Sequence, residues 1–129
     1  MSSFQVQMVH PEVIRAERRR FRRLKASVQA ELRVEGKDIP IRTETSDLSE
    51  GGCYIEMPIT IESGARLHVV LWLDQERVGM EARVVTCHPQ FGNGIEFTAM
   101  PADCRDKLRR YLDMAQLAAE RTPGLNRIS

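Results

Sequence analysis

The sequence predicts a mainly β fold: a six-stranded antiparallel β-barrel with a flexible basic N-terminal arm and a C-terminal α-helix. Three observations carry that expectation. Short segments of alternating or β-branched character recur about every ten to fifteen residues, the rhythm of a closed or nearly closed antiparallel barrel. The apolar period changes to that of a helix after Pro101. The chain has 129 residues and is 42% hydrophobic, enough to bury one core without metal or disulfide staples.

The first element is a charge run. The stretch "RAERRRFRRLK", residues 15–25, takes seven of the 19 basic residues and one of the 18 acidic ones, leaving twelve basic against seventeen acidic elsewhere. A strongly basic arm therefore leads a mildly acidic body. Sixteen of the basic residues are arginine, whose planar fork meets phosphate oxygens, or the O6/N7 edge of guanine, two hydrogen bonds at a time. Charge alone also fits a solvated run. A general nucleic-acid binder spreads basic residues over a whole face, and a pI of about 7.8 speaks against that.

Six strands are expected next. "ASVQAELRV" (26–34) alternates and ends at the turn "EGKD"; "IPIRTETSDL" (39–48) is Thr-rich, with Pro40 confined to its start or to a sheet edge. "GCYIEM" (52–57), "RLHVVLWLD" (66–74), "RVGMEARVVTCH" (77–88) and "GNGIEFTAM" (92–100) complete the set. Trp72 falls in an apolar run and is expected in the core. In the last element Cys104, Leu108, Tyr111, Leu112 and Ala115 form one helical stripe, with start signals at Pro101 and Asp103 and a stop at "TPG". The helix is expected over about 102–120, docked on the barrel with its basic face in solvent.

The organisation is thus an N-terminal extension (1–14), one domain (15–121) and a tail (122–129). Cys53, Cys87 and Cys104 are odd in number and widely spaced, which argues against a disulfide framework and fits a reducing compartment. Cys87, His88 and His68 lack metal-site spacing, so no metal is expected. No apolar run approaches the roughly 20 residues needed to span a bilayer, and the N-terminus lacks a signal peptide. The expectation is a soluble, cytoplasmic chain with no membrane insertion.

A second feature sits at "SDLSEGGCYIE", residues 46–56. Asp47 and Ser49 are two apart and would share a strand face if the strand persisted, while Gly51 and Gly52 permit a tight turn and bare backbone. Alone, this is what any turn is made of.

The two features in this order resemble the PilZ family of bacterial cyclic di-GMP receptors, whose hallmarks are an RxxxR segment before the barrel and a [DN]xSxxG segment across adjacent strands. Arg19 and Arg23 match the first; Asp47, Ser49 and Gly52 match the second; "GNGIEF" is similar to the family's last barrel strand. The resemblance covers residues 15 to about 115. It implies a ligand, cyclic di-GMP, held by Arg18, Arg19, Arg23, Asp47, Ser49, Gly51 and Gly52. It also implies no cofactor, no catalysis, and an arm that orders over the ligand and signals to an unidentified downstream protein. The chemistry agrees: two phosphodiesters and two guanines ask for arginine forks, and a carboxylate at Asp47 matches the N1–H and N2–H₂ donors of guanine. In similar proteins an arginine at the position of Arg18 goes with binding the ligand as an intercalated dimer.

Two other classes fit the sequence less well. An enzyme would show a P-loop, HExxH or GxSxG motif, and none is present. A small RNA- or DNA-binding barrel using the Arg-rich arm would stack bases on strand aromatics, but aromatics are only 5% of the chain, so nucleic acid is not the expected partner.

Overall fold

The computed structural model describes residues 22–121. Eight strands form one antiparallel sheet: β1 (Leu24–Lys25), β2 (Gln29–Val34), β3 (Ile41–Glu44), β4 (Asp47–Leu48), β5 (Gly52–Glu56), β6 (Arg66–Leu73), β7 (Glu76–His88) and β8 (Gly92–Ala99). A helix, α1 (Ala102–Arg121), follows β8. The spatial order is β1-β4-β5-β8-β7-β6-β2-β3.

The expected six-stranded barrel is corrected on two counts: the described residues form eight strands, and the curled sheet is a half-barrel that does not close. One added strand comes from the end of the arm, β1, and the other from a corner at Thr45. Its amide donates to Val28 O at 2.9 Å, while its buried hydroxyl donates to Ala26 O at 2.6 Å and accepts from Val28 N at 3.1 Å. One residue on, Ser46 N donates to Tyr54 O at 2.8 Å. Thr45 therefore faces one ladder and Ser46 another. The stretch 39–48 divides into β3, paired with β2, and β4, paired with β5. The partner stretch breaks likewise at 26–28, so β1 follows β4 while β2 pairs with β6. One bent hairpin thus supplies both edges of the sheet, and they meet through side-chain and turn hydrogen bonds instead of a continuous ladder. Pro40, just before edge strand β3, costs no ladder bond.

Alternation sorts the residues onto two faces. Leu48, Cys53, Ile95 and Val84 stand in register across β4, β5, β8 and β7, and all are buried. Leu32, Val69, Leu71, Val78 and Met80 extend the core, and Leu108 and Leu112 of α1 cap it. Fully burying each of these leucines contributes roughly 1.5–3 kcal/mol. The expected helical stripe is observed: Cys104, Tyr111 and Ala115 are half-buried beside the two leucines. Trp72 departs from expectation. It lies between buried Leu71 and Leu73 on the outer face and stays 36% exposed, because in a strand alternate side chains take opposite faces.

Asn93 is the buried polar residue that holds the edge of the core. Its side chain donates to Ile61 O (2.7 Å) and Thr86 O (3.1 Å) and accepts from Ile61 N (2.8 Å), which pins the 57–65 connection to β8. Among the described residues no helix is long and apolar enough to cross a membrane.

Candidate ligand-binding site

The turn between β4 and β5 is made by its own residues. Ser49 N donates to Gly52 O at 2.8 Å, and the Ser49 hydroxyl also reaches Gly52 O at 3.2 Å while accepting from Gly51 N and Gly52 N at 3.1 and 3.2 Å. Ser49 is buried. β4 ends at Leu48, so Ser49 does not stand beside Asp47 on a strand; its hydroxyl shapes the Glu50–Gly51 turn. Gly52 is demanded by packing: a Cβ there would lie 2.1 Å from Ile95 O on β8. Gly51 O accepts from Phe97 N at 2.9 Å. The turn is thereby pressed flat on β8.

In front of the turn lies a cleft of about 290 Å³. Arg23 reaches it from the segment before β1, and Ser49, Gly51 and Gly52 line it with Tyr54, Thr86, His88 and Gly94. Four of the expected site residues are therefore brought together. Arg18 and Arg19 lie outside the described residues, as does the stretch of arm expected to be flexible. The arm ends earlier than expected, since Leu24 and Lys25 already pair with Leu48 and Asp47.

Asp47 does not line the cleft but belongs to the same outer face. Lys25, Asp47, Tyr54, Gly94 and Thr86 form one cross-strand row over β1, β4, β5, β8 and β7. With strands about 4.8 Å apart, Asp47 and Thr86 stand roughly 14 Å from each other along it. Asp47 is paired with Lys25 at 3.6 Å, and since Lys25 is 91% exposed the pairing is weak and exchangeable.

Tyr54, Thr86, His88 and Gly94 line the cleft, though sequence reading assigned none of them to the ligand. Tyr54 Oη and His88 Nδ1 lie 3.0 Å apart, and Thr86 Oγ1 accepts from Gly94 N at 3.1 Å. The signal that unites them is the register of three strands, which has no local trace. Cys87 and His88, adjacent on β7, point to opposite faces, and His68 is bonded to Glu81 at 2.9 Å. No three His, Cys, Asp or Glu among the described residues gather as a metal-holding group. A larger concavity, about 1030 Å³ between the β2–β3 turn and residues 59–66, is walled by Ile39, Ile59 and Ile61. Its lining, which includes Arg66, Gly36 and Gly64, holds no residue of either sequence motif, whereas Arg23, Ser49, Gly51 and Gly52 gather at the smaller cleft, which is therefore the better site.

The PilZ domain family model matches residues 17–114. The chain belongs to the PilZ domain family. No curated protein matches this PilZ chain in sequence. Solved structures share its fold. The Bacillus subtilis inhibitor of motility MotI/DgrA is 20% identical with a TM-score of 0.67, the match covering 78% of this chain and 52% of that one. The chain thus spans about half of that protein's length. The PilZ domain of YcgR from Escherichia coli, solved with c-di-GMP, is 16% identical with a TM-score of 0.65, covering 82% and 98% of the two chains. The PilZ domain of CeSA from a cellulose-synthesizing bacterium is 21% identical with a TM-score of 0.59, covering 74% and 98%.

Proposed function

We propose that this PilZ chain is a cyclic di-GMP receptor, without catalytic activity, that signals to a partner. The observation that carries the reading is the meeting of Arg23 with the Ser49–Gly52 turn in one cleft. Arg23 sits at one end of the RxxxR segment and the turn is the core of the second motif, some two dozen residues later. The fold shared with the YcgR PilZ domain, a protein solved with c-di-GMP, supports the same ligand class.

In this reading Arg19 and Arg23 fork onto phosphate and the guanine O6/N7 edge. Asp47 accepts from guanine N1–H and N2–H₂, trading its contact with exposed Lys25. Gly51 and Gly52 let the ligand approach backbone, and Ser49 holds the turn. Arg18 supplies the guanidinium that a second, intercalated ligand molecule needs, giving two molecules per chain. The arm closes over the ligand and changes the surface offered to a downstream protein. Titration gives the stoichiometry directly: a ratio near two that falls towards one in Arg18→Leu is expected.

Receptor and enzyme separate in one experiment. Cyclic di-GMP incubated with the protein and then chromatographed is expected back intact; its conversion to a linear dinucleotide or to GMP contradicts the receptor reading.

A further inference from the structure

Two side chains in the cleft belong to neither motif, and they are built as a unit. Tyr54 Oη and His88 Nδ1 are 3.0 Å apart, and the rings sit 5.9 Å centroid to centroid with a 41° tilt. The pair bridges from β5 to β7 across β8, which is possible because β8 is glycine beneath it. A Cβ on Gly92 would stand 2.9 Å from the Tyr54 ring and 2.4 Å from Ile55 O. The Tyr54 hydroxyl fixes the imidazole in place: when it donates to Nδ1, the ring proton sits on Nε2. On protonation Nδ1 becomes a donor and the phenol oxygen accepts, so the contact survives while the imidazole gains a charge.

The neighbours on this face carry charges of both signs. Tyr54 and Thr86, on the neighbouring row, are neutral. Glu56 on β5 shares the face, since both Glu56 and His88 stand opposite Gly92. Glu96 and Arg83 are bonded to each other at 3.1 Å, and Arg23 lines the same cleft. A cleft that already draws an anion through arginine gains a donor that strengthens with acidity.

We propose that Tyr54 and His88 form a further contact to cyclic di-GMP, the Tyr54 ring stacking on a guanine and His88 Nε2–H donating to a phosphodiester oxygen, so that affinity rises as His88 is protonated. This rests on the receptor reading above. Base–aromatic stacking is sequence-tolerant, and a hydrogen bond from a cation is roughly twice as strong as a neutral one. The ligand's phosphodiesters stay anionic and its guanines neutral through the range in which imidazole titrates, so the pH dependence comes from the protein.

The test is calorimetric affinity of the full chain for cyclic di-GMP between about pH 5.5 and 8, at constant ionic strength. Wild type is expected to bind about five- to tenfold more tightly at the acid end. His88→Gln keeps a side-chain donor without the charge; its affinity is expected to be flat with pH and below the wild-type value, most of all at the acid end. His68→Gln, remote from the cleft, is expected to keep the wild-type slope. Flat wild-type affinity, or a slope that survives His88→Gln, overturns this inference and leaves the receptor reading standing. Absence of binding at every pH overturns the receptor reading itself.

Discussion

Glu50, in the turn between β4 and β5, accepts a charge-assisted hydrogen bond from Nε of Arg109 on α1. The hydrogen bond from Arg109, and then the Glu50 charge, pushes the Arg109 pKa further up. The same turn carries Ser49, Gly51 and Gly52, so the candidate ligand site and the helix are tied by one ion pair. Arg109→Ala is expected to leave the sheet folded while raising amide exchange in the turn and along the outer half of α1. Because both partners meet solvent, high salt should produce part of the same effect in the wild type. Unchanged exchange in both would show that the apolar contacts of Leu108 and Leu112 hold the helix alone.

Gly52→Ala is expected to cost about 2 to 3 kcal/mol of stability. The added methyl meets a backbone carbonyl, Ile95 O, which cannot turn aside as a side chain can. Thermal or denaturant unfolding measures the loss. A variant as stable as the wild type would mean that β5 and β8 can part without disturbing the core.

Arg23→Ala is expected to weaken cyclic di-GMP binding by about 2 to 4 kcal/mol, since a charged fork is lost from a partly desolvated contact. Arg23 is exposed, so the unfolding midpoint of the free protein should barely move. An unfolded variant would instead assign Arg23 a structural part.

Asp47→Ala is expected to lower affinity and to reduce discrimination between guanine and adenine ligands. Loss of its contact with Lys25 should cost little stability. Equal losses for cyclic di-GMP and cyclic di-AMP would mean that Asp47 only shapes β4.

Cys53, buried between Leu48 and Ile95, has its thiol pushed up from 9.0 to about 12 by burial. The fold therefore favours the neutral thiol: its contribution to stability is whole below pH 9.0 and is lost as pH rises towards about 12. At pH 8 a thiol reagent is expected to label half-buried Cys87 and Cys104 and to spare Cys53 until the protein unfolds. Rapid labelling of all three would contradict the burial.

The helix was legible in the sequence because its signal is local: the stripe from Cys104 to Ala115 lies within a few turns, and Pro101 marks its start. The positions of the strand segments were legible for the same reason. The corner at Thr45 was not, because a threonine in a Thr-rich alternating run carries no sign that its hydroxyl will bond Ala26 and Val28 instead of facing a strand neighbour. That corner divides one expected strand in two, and the end of the arm supplies β1, so an expected barrel of six strands becomes an open sheet of eight. The site divided in the same way. Arg23 and the Ser49–Gly52 turn are compact motifs, whereas Tyr54 and His88 are 34 residues apart and meet only through the register of β5, β8 and β7. Trp72 was placed in the core by the hydrophobicity of its neighbours, although adjacent strand residues face opposite ways.

The most direct test is calorimetric titration of the full chain with cyclic di-GMP, cyclic di-AMP and GTP under one set of conditions. Saturable heat with cyclic di-GMP, much weaker heat with the other two, and its loss in Arg23→Ala is the predicted result. A flat trace for all three ligands would contradict the account.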